Sequence, residues 1–222
     1  KKGEPDQSIE YYKKALEITQ HKLVPQNYDV ADFFNNLGLA YDSNGDYNQA
    51  IIYYEKALEK WLEKLGPEEN QIANTNNNLG VAHFKKGDYS NAIKSYAKAL
   101  KIRLGKLGPD HPCTATSYNN LGEAHFKKKE FERAIEYYKE YFRIHLTKLR
   151  PDYCDVTDSY NNMGEAYKMS NPKDAAQYYA MAKWSELRSQ GQFSENVDPK
   201  AFEKEIGIPY SRAIQIEEAL KA

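Results

Sequence analysis

The sequence predicts an all-α fold, a solenoid of antiparallel helix pairs, and three observations predict it. One four-residue phrase recurs at a constant interval of 42 residues: Asn35-Asn36-Leu37-Gly38, Asn77-Asn78-Leu79-Gly80, Asn119-Asn120-Leu121-Gly122 and Asn161-Asn162-Met163-Gly164. Pro25, Pro67, Pro109 and Pro151 keep the same interval. Between these marks, apolar residues return every three or four positions, the spacing of one helix face. A fixed period in the range of about 20–50 residues marks units that cannot bury their apolar faces alone and must stack on neighbours.

The chain opens in a partial unit. Lys1-Lys2-Gly3 matches Lys85-Lys86-Gly87, so the first predicted helix, 6–23, is the second helix of a hairpin whose first helix is missing. The sequence therefore reads as a fragment of a longer array, with Ile9, Tyr12 and Ala15 on its apolar face. In the next unit Phe33, Phe34, Leu37, Ala40 and Tyr41 give a helix at 30–44. Gly45 stops it, because glycine takes the left-handed conformation that satisfies a helix C-terminus, and Gly87 repeats the device. Asp46 and Asp88 can cap the N–H groups of the helices that follow. Those second helices run at 47–65 and 89–107, through Ala50, Ile51, Tyr54 and Ala57, and through Ala92, Ile93, Tyr96 and Ala99.

The same reading places helices at 72–86, 114–128, 131–149, 156–169 and 172–188. Proline in each link lacks an N–H and clashes with a preceding helical turn, so one helix ends and another begins. The last hairpin is one residue shorter, and Asn171-Pro172 fits a cap followed by proline at the first helical position. The expected organisation is a tandem array over 1–188, a partial leading repeat plus four repeats, followed by a loop and capping helices over 189–222. The tail helices fall at 201–206 and 211–222. An alternative leaves the tail, through Ala213, Ile214, Ile216 and Leu220, lying in the groove of the array.

Charge excludes several function classes. Lys and Arg number 31 against 32 Asp and Glu, a formal net charge of −1, so no global field favours nucleic acid or an anionic membrane. No apolar run approaches the roughly 18 residues that span a bilayer, and no signal-peptide core opens the chain. Cys113 and Cys154 lack partners at metal-ligand spacing and read as free thiols of a reducing, cytoplasmic compartment. No phosphate loop, zinc spacing, or nucleophile with base is present in the sequence, so no enzyme activity, cofactor or metal is expected. His83 and His125 share a repeat position with Tyr41 and Tyr167, which points to packed rings.

In one unit the order is Tyr118, Leu121, Gly122, His125, Ala134, Tyr138 and Tyr141, with tyrosine at the last position where alanine is usual. This pattern resembles the tetratricopeptide repeat. The longer period and the Lys-Leu-Gly-Pro-Asp-His-Pro link at 106–112 resemble the kinesin light chain and nephrocystin subclass. The resemblance implies a right-handed superhelix whose first helices line a concave face. It also implies a scaffold that holds an extended peptide of another protein by amide hydrogen bonds to its main chain.

Asparagine is a mediocre helix former, yet two stand mid-helix in every unit, so their placement needs a reason. An amide offers both donor and acceptor and can pair with peptide main chain without demanding a particular side chain. The expected peptide-binding residues are Asn36, Asn78, Asn120 and Asn162, with their neighbours Asn35, Asn77, Asn119 and Asn161. Around them stand Leu39, Val81, Glu123, Lys85 and Lys127, a mixed-charge surface with apolar patches. Alternatively the asparagines bond between adjacent repeats and set their pitch. A second expectation is self-association through tyrosine-rich second helices, given 19 tyrosines and their preference for contact surfaces.

Overall fold

The structure, a computed structural model, describes residues 7–14, 17, 27–65, 70–148, 153–190 and 198–221. All regular structure among them is helical. The elements are α1, described over residues 7–14, then α2 (Asn27–Ser43), α3 (Tyr47–Leu65), α4 (Asn70–Lys85), α5 (Tyr89–Leu107), α6 (Pro112–Lys127), α7 (Phe131–Lys148), α8 (Tyr153–Ser170), α9 (Pro172–Ser189), α10 (Pro199–Ile206) and α11 (Tyr210–Lys221). The chain divides into two compact units, Lys1–Gly108 and Pro109–Ala222. The tail helices are built into the core of the second unit. Lys1-Lys2-Gly3, Ala15, Pro25, Pro67, Pro151 and the Cys154 side chain lie outside the described residues.

The hairpin turns follow the sequence. Gly45 and Gly87 have φ of 81° and 87°, and Asp46 N–H and Asp88 N–H reach back to the carbonyls of Tyr41 and His83. Asp46 and Asp88 then accept from the backbone N–H of Gln49 and Asn91, at 3.1 and 3.2 Å. The third turn lacks glycine: Lys129 takes the same conformation, φ 65°, and Glu130 N–H closes the same bond to His125. First helices begin two or three residues before their expected starts. In α6 the reason is visible, since Pro112 occupies the first turn and the His111 ring caps Cys113 N–H at 3.1 Å.

Each hairpin closes on a glycine–tyrosine contact. A Cβ on Gly38 or Gly80 would stand 2.5 Å from the ring of Tyr54 or Tyr96. Gly122 faces Tyr138 in the same way, and in the shortened last hairpin Gly164 faces Tyr179. Beside this contact a second ring pair stacks: Tyr41 on Tyr53 at 5.3 Å, His125 on Tyr137 at 5.2 Å and Tyr167 on Tyr178 at 4.7 Å. Of the two histidines expected to be packed rings, His125 stacks in this way. It is buried, and its Nδ1–H donates to Glu130 Oε2 at 2.6 Å.

In the second unit one continuous core runs through Tyr138, Phe142, Ile144, Tyr160, Met163 and Trp184. The tail closes it from outside: α11 packs on α7 and α10 on α9, burying Phe202, Ile206, Ala213, Ile216 and Leu220. The first unit buries smaller clusters, around Trp61 and Phe34, around Tyr54 and Leu79, and around Ile9 and Leu37.

Candidate functional site

In the second unit a polar cavity of about 480 Å³ opens between α6, α7 and α8. Thr116, Asn119 and Glu123 come from α6, Tyr141 and His145 from α7, and Asp158, Ser159, Asn161 and Asn162 from α8. Residues 116, 119 and 123 share a face of α6 because three- and four-residue steps return to the same side of a helix. Four expected binding residues, Asn119, Glu123, Asn161 and Asn162, thus converge here. Asn120 and Lys127 do not line the cavity, and no described side chain of α10 or α11 does. The described tail therefore lies against second helices, away from this cavity.

In the first unit the two members of an asparagine pair do different work, and Asn119 of the second unit follows the first members. Asn119 Oδ1 accepts from the Ser159 hydroxyl at 2.7 Å, and Asn35 Oδ1 accepts from the Thr75 hydroxyl at 3.2 Å. Both bonds join a first helix to the next first helix, so here the inter-repeat role is the observed one. Asn77 Oδ1 accepts instead from Arg103 Nη1 at 3.5 Å, and Arg103 Nη2 donates to Asn74 Oδ1 at 3.1 Å. The second members, Asn36 and Asn78, are half-buried and carry amides with no hydrogen-bond partner among the described residues. Asn162 is half-buried at the cavity wall, and Asn161 is exposed.

Of the flanking residues, Leu39 is 41% exposed and Val81 half-buried. Lys85 is committed to the scaffold, pairing with Asp42 at 2.6 Å and lying over the Tyr47 ring. Lys127 lies over the ring of Phe126. Burial pushes the Glu123 carboxyl above its ordinary range; nearby Lys127 opposes the shift and Asp158 adds to it. A carboxyl in that state accepts or donates a hydrogen bond readily. The cavity thus presents amides, hydroxyls and two acids, groups suited to hydrogen-bonding a main chain or a polar side chain.

Three residues that first-helix reasoning missed enter from second helices: Arg103, Tyr141 and His145. Trp61, Arg103 and His145 occupy one repeat position, 42 apart. Such variation inside a strict register was the available signal. Trp61 is buried, Arg103 is buried with its guanidinium bonded to amides, and His145 lines the cavity beside Tyr141, ring centres 4.6 Å apart.

Among the described residues no cluster of three or more His, Cys, Asp or Glu could hold a metal, and no helix is long and apolar enough to cross a membrane. The family model described as Tetratricopeptide repeat matches residues 1–63 and 71–147. No curated protein matches the sequence. Solved structures do: BtubC (BKLC) from P. vanneervenii has a TM-score of 0.77 at 23% identity, covering 88% of this chain and 78% of that one. A kinesin light chain candidate of Podosopora anserina, with nearly identical TPR-like repeats, has a TM-score of 0.72 at 18% identity, covering 85% and 90%. MamA has a TM-score of 0.62 at 23% identity, covering 86% and 94%. At these identities the likeness is one of fold.

Proposed function

Because this chain belongs to the tetratricopeptide repeat family, whose fold is that of protein–protein interaction scaffolds, we propose that it binds an extended peptide of a partner protein on its first-helix surfaces and performs no catalysis. The observation that carries the reading is the division of labour within the asparagine pairs of the first unit. Asn35 and Asn119 are consumed by the scaffold, while Asn36 and Asn78 hold half-buried amides without partners among the described residues. Such an amide, still open to solvent, can exchange its water for an incoming main-chain N–H or C=O. In the second unit Asn162 lines the polar cavity and its amide lies within reach of the buried Tyr138 hydroxyl.

In this reading the amides supply affinity and His145, the half-buried second-helix residue at the polar cavity, contributes selectivity. The mixed charge around them suits a segment with both polar and apolar side chains. The test begins with a peptide array, and the strongest binder is then titrated by fluorescence anisotropy against Asn36→Ala and Asn78→Ala. A loss of affinity of about tenfold in at least one variant, with unchanged melting, is expected. Full affinity in both variants, or binding lost only together with stability, rejects the ladder.

A further inference from the structure

A second concavity lies in the first unit on the side of the second helices. Helices α3 and α5 both pack on α4 and leave a cavity of about 530 Å³. Its lining is mostly apolar: Ile72 is buried, Leu58 and Ile102 are half-buried, and Leu62 remains 49% exposed. The two charged residues that line it, Lys98 and Lys101, are both exposed and make no ion pair among the described residues. Among the described residues no carboxylate lines it.

Gly105 also lines this cavity, in the last turn of α5. Glycine there costs about 0.5–1 kcal/mol relative to alanine. The chain itself gives no reason for it. Gly108, not Gly105, has the positive φ that ends the helix, and a Cβ on Gly105 would meet nothing within 4 Å. The missing side chain keeps space open beside Ile102.

The second unit shows what covers this kind of surface. Phe142 and Leu146 of α7 stand two periods after Leu58 and Leu62 of α3, and both belong to the core that the tail completes. There α11 packs on α7 through an apolar stripe, Ala213, Ile216 and Leu220, at helical spacing, and Phe202 of α10 meets Trp184 of α9 at 5.2 Å. An amphipathic helix is thus the natural roof for paired second helices in this chain. The first unit has the floor and no such roof among the described residues.

We propose that the cleft between α3 and α5 is a second docking site, taking one amphipathic helix of a partner protein. The helix would insert apolar residues at i, i+3 and i+7 beside Leu58, Leu62 and Ile102 and bring carboxylates to Lys98 and Lys101. An apolar stripe in a groove supplies affinity, and unpaired charges at the mouth select the sign of the ligand. The site is independent of the asparagine face.

The test uses the full chain and two fluorescent stapled helices of equal length, each with leucine at i, i+3 and i+7, one flanked by glutamates and the other by lysines. The acidic helix is expected to bind at least tenfold more tightly. Gly105→Phe, which fills the cavity, should abolish that binding, and Lys98→Glu with Lys101→Glu should reverse the preference. Melting of each variant confirms that it folds, and Asn78→Ala should leave helix binding unchanged. Equal affinity for both helices, binding indifferent to Gly105→Phe in a folded variant, or binding of dodecanoate but of neither helix would overturn the proposal.

Discussion

Replacing Gly80 and Gly105 separately by alanine separates packing from helix propensity within the first unit. A Cβ at position 80 would stand 2.5 Å from both Cδ1 and Cε1 of Tyr96, where carbon atoms normally keep about 3.5–4.0 Å. The ring must therefore retreat by about 1 Å. It is only 3% exposed, so its retreat disturbs the core, at an expected cost of about 1–3 kcal/mol. Alanine returns up to about 1 kcal/mol by its better helix propensity. At Gly105 the same Cβ meets open space, and only the gain of about 0.5–1 kcal/mol remains. The difference between the variants, about 1–3 kcal/mol, isolates the overpacking. Urea unfolding followed by circular dichroism measures it, and at about 4–8 °C per kcal/mol in melting temperature for a unit of this size heating does so as well. Equal stability of the two variants would refute the claim that glycine at 80 exists to admit the tyrosine.

Lys129→Gly should stabilise the second unit by about 0.5–1 kcal/mol in the same unfolding assay, because a left-handed conformation costs a side-chain-bearing residue more than glycine. Asn119→Ala should destabilise by about 1–3 kcal/mol, since it leaves the buried Ser159 hydroxyl without its acceptor, whereas Asn78→Ala, whose amide has no hydrogen-bond partner among the described residues, should change stability by less than about 0.5 kcal/mol. Burial lowers the pKa of His125 below the 6.5 of a free imidazole, against the pull of Glu130. The folded state thus favours the neutral ring; stability is whole above about pH 6.5 and declines as pH falls below it, where the unfolded chain takes up the proton first. Melting from pH 8 to pH 5 should therefore fall more steeply for the natural chain than for His125→Tyr, which installs the residue already found at positions 41 and 167.

Most of the fold was legible because repetition multiplies weak signals. A single glycine before a carboxylate is a poor turn signal, but Gly45-Asp46 and Gly87-Asp88 at one interval mark the hairpins. Lys128-Lys129-Glu130 then inherits the assignment although no residue in it favours a left-handed backbone. Boundaries were less legible. Pro109 stands in the link as expected, but Pro112, three residues on, opens the next helix under its His111 cap, two residues before the expected start. The extent of the units was not legible at all from periodicity, which says that repeats exist but not which of them share a core.

The site was half legible, and the missing half has a physical origin. Adjacent helix positions point about 100° apart, so one member of an asparagine pair faces the neighbouring repeat while the other does not. Which is which depends on what the neighbour offers. The hydroxyls that claim the first member stand 40 residues on, at Thr75 and Ser159, two short of the period. They therefore escape a search that compares only equivalent positions. A lookup at 40 residues finds them, and it assigns Asn35 and Asn119 to the scaffold from sequence alone. The same lookup would miss Arg103, because its guanidinium reaches Asn74 and Asn77 from a second helix. Its long side chain can reach partners that residue spacing alone does not identify. Repeat sequences thus disclose the hydrogen bonds that recur, and leave to the structure those made by the residues that vary, which are the ones on which partner selectivity would rest.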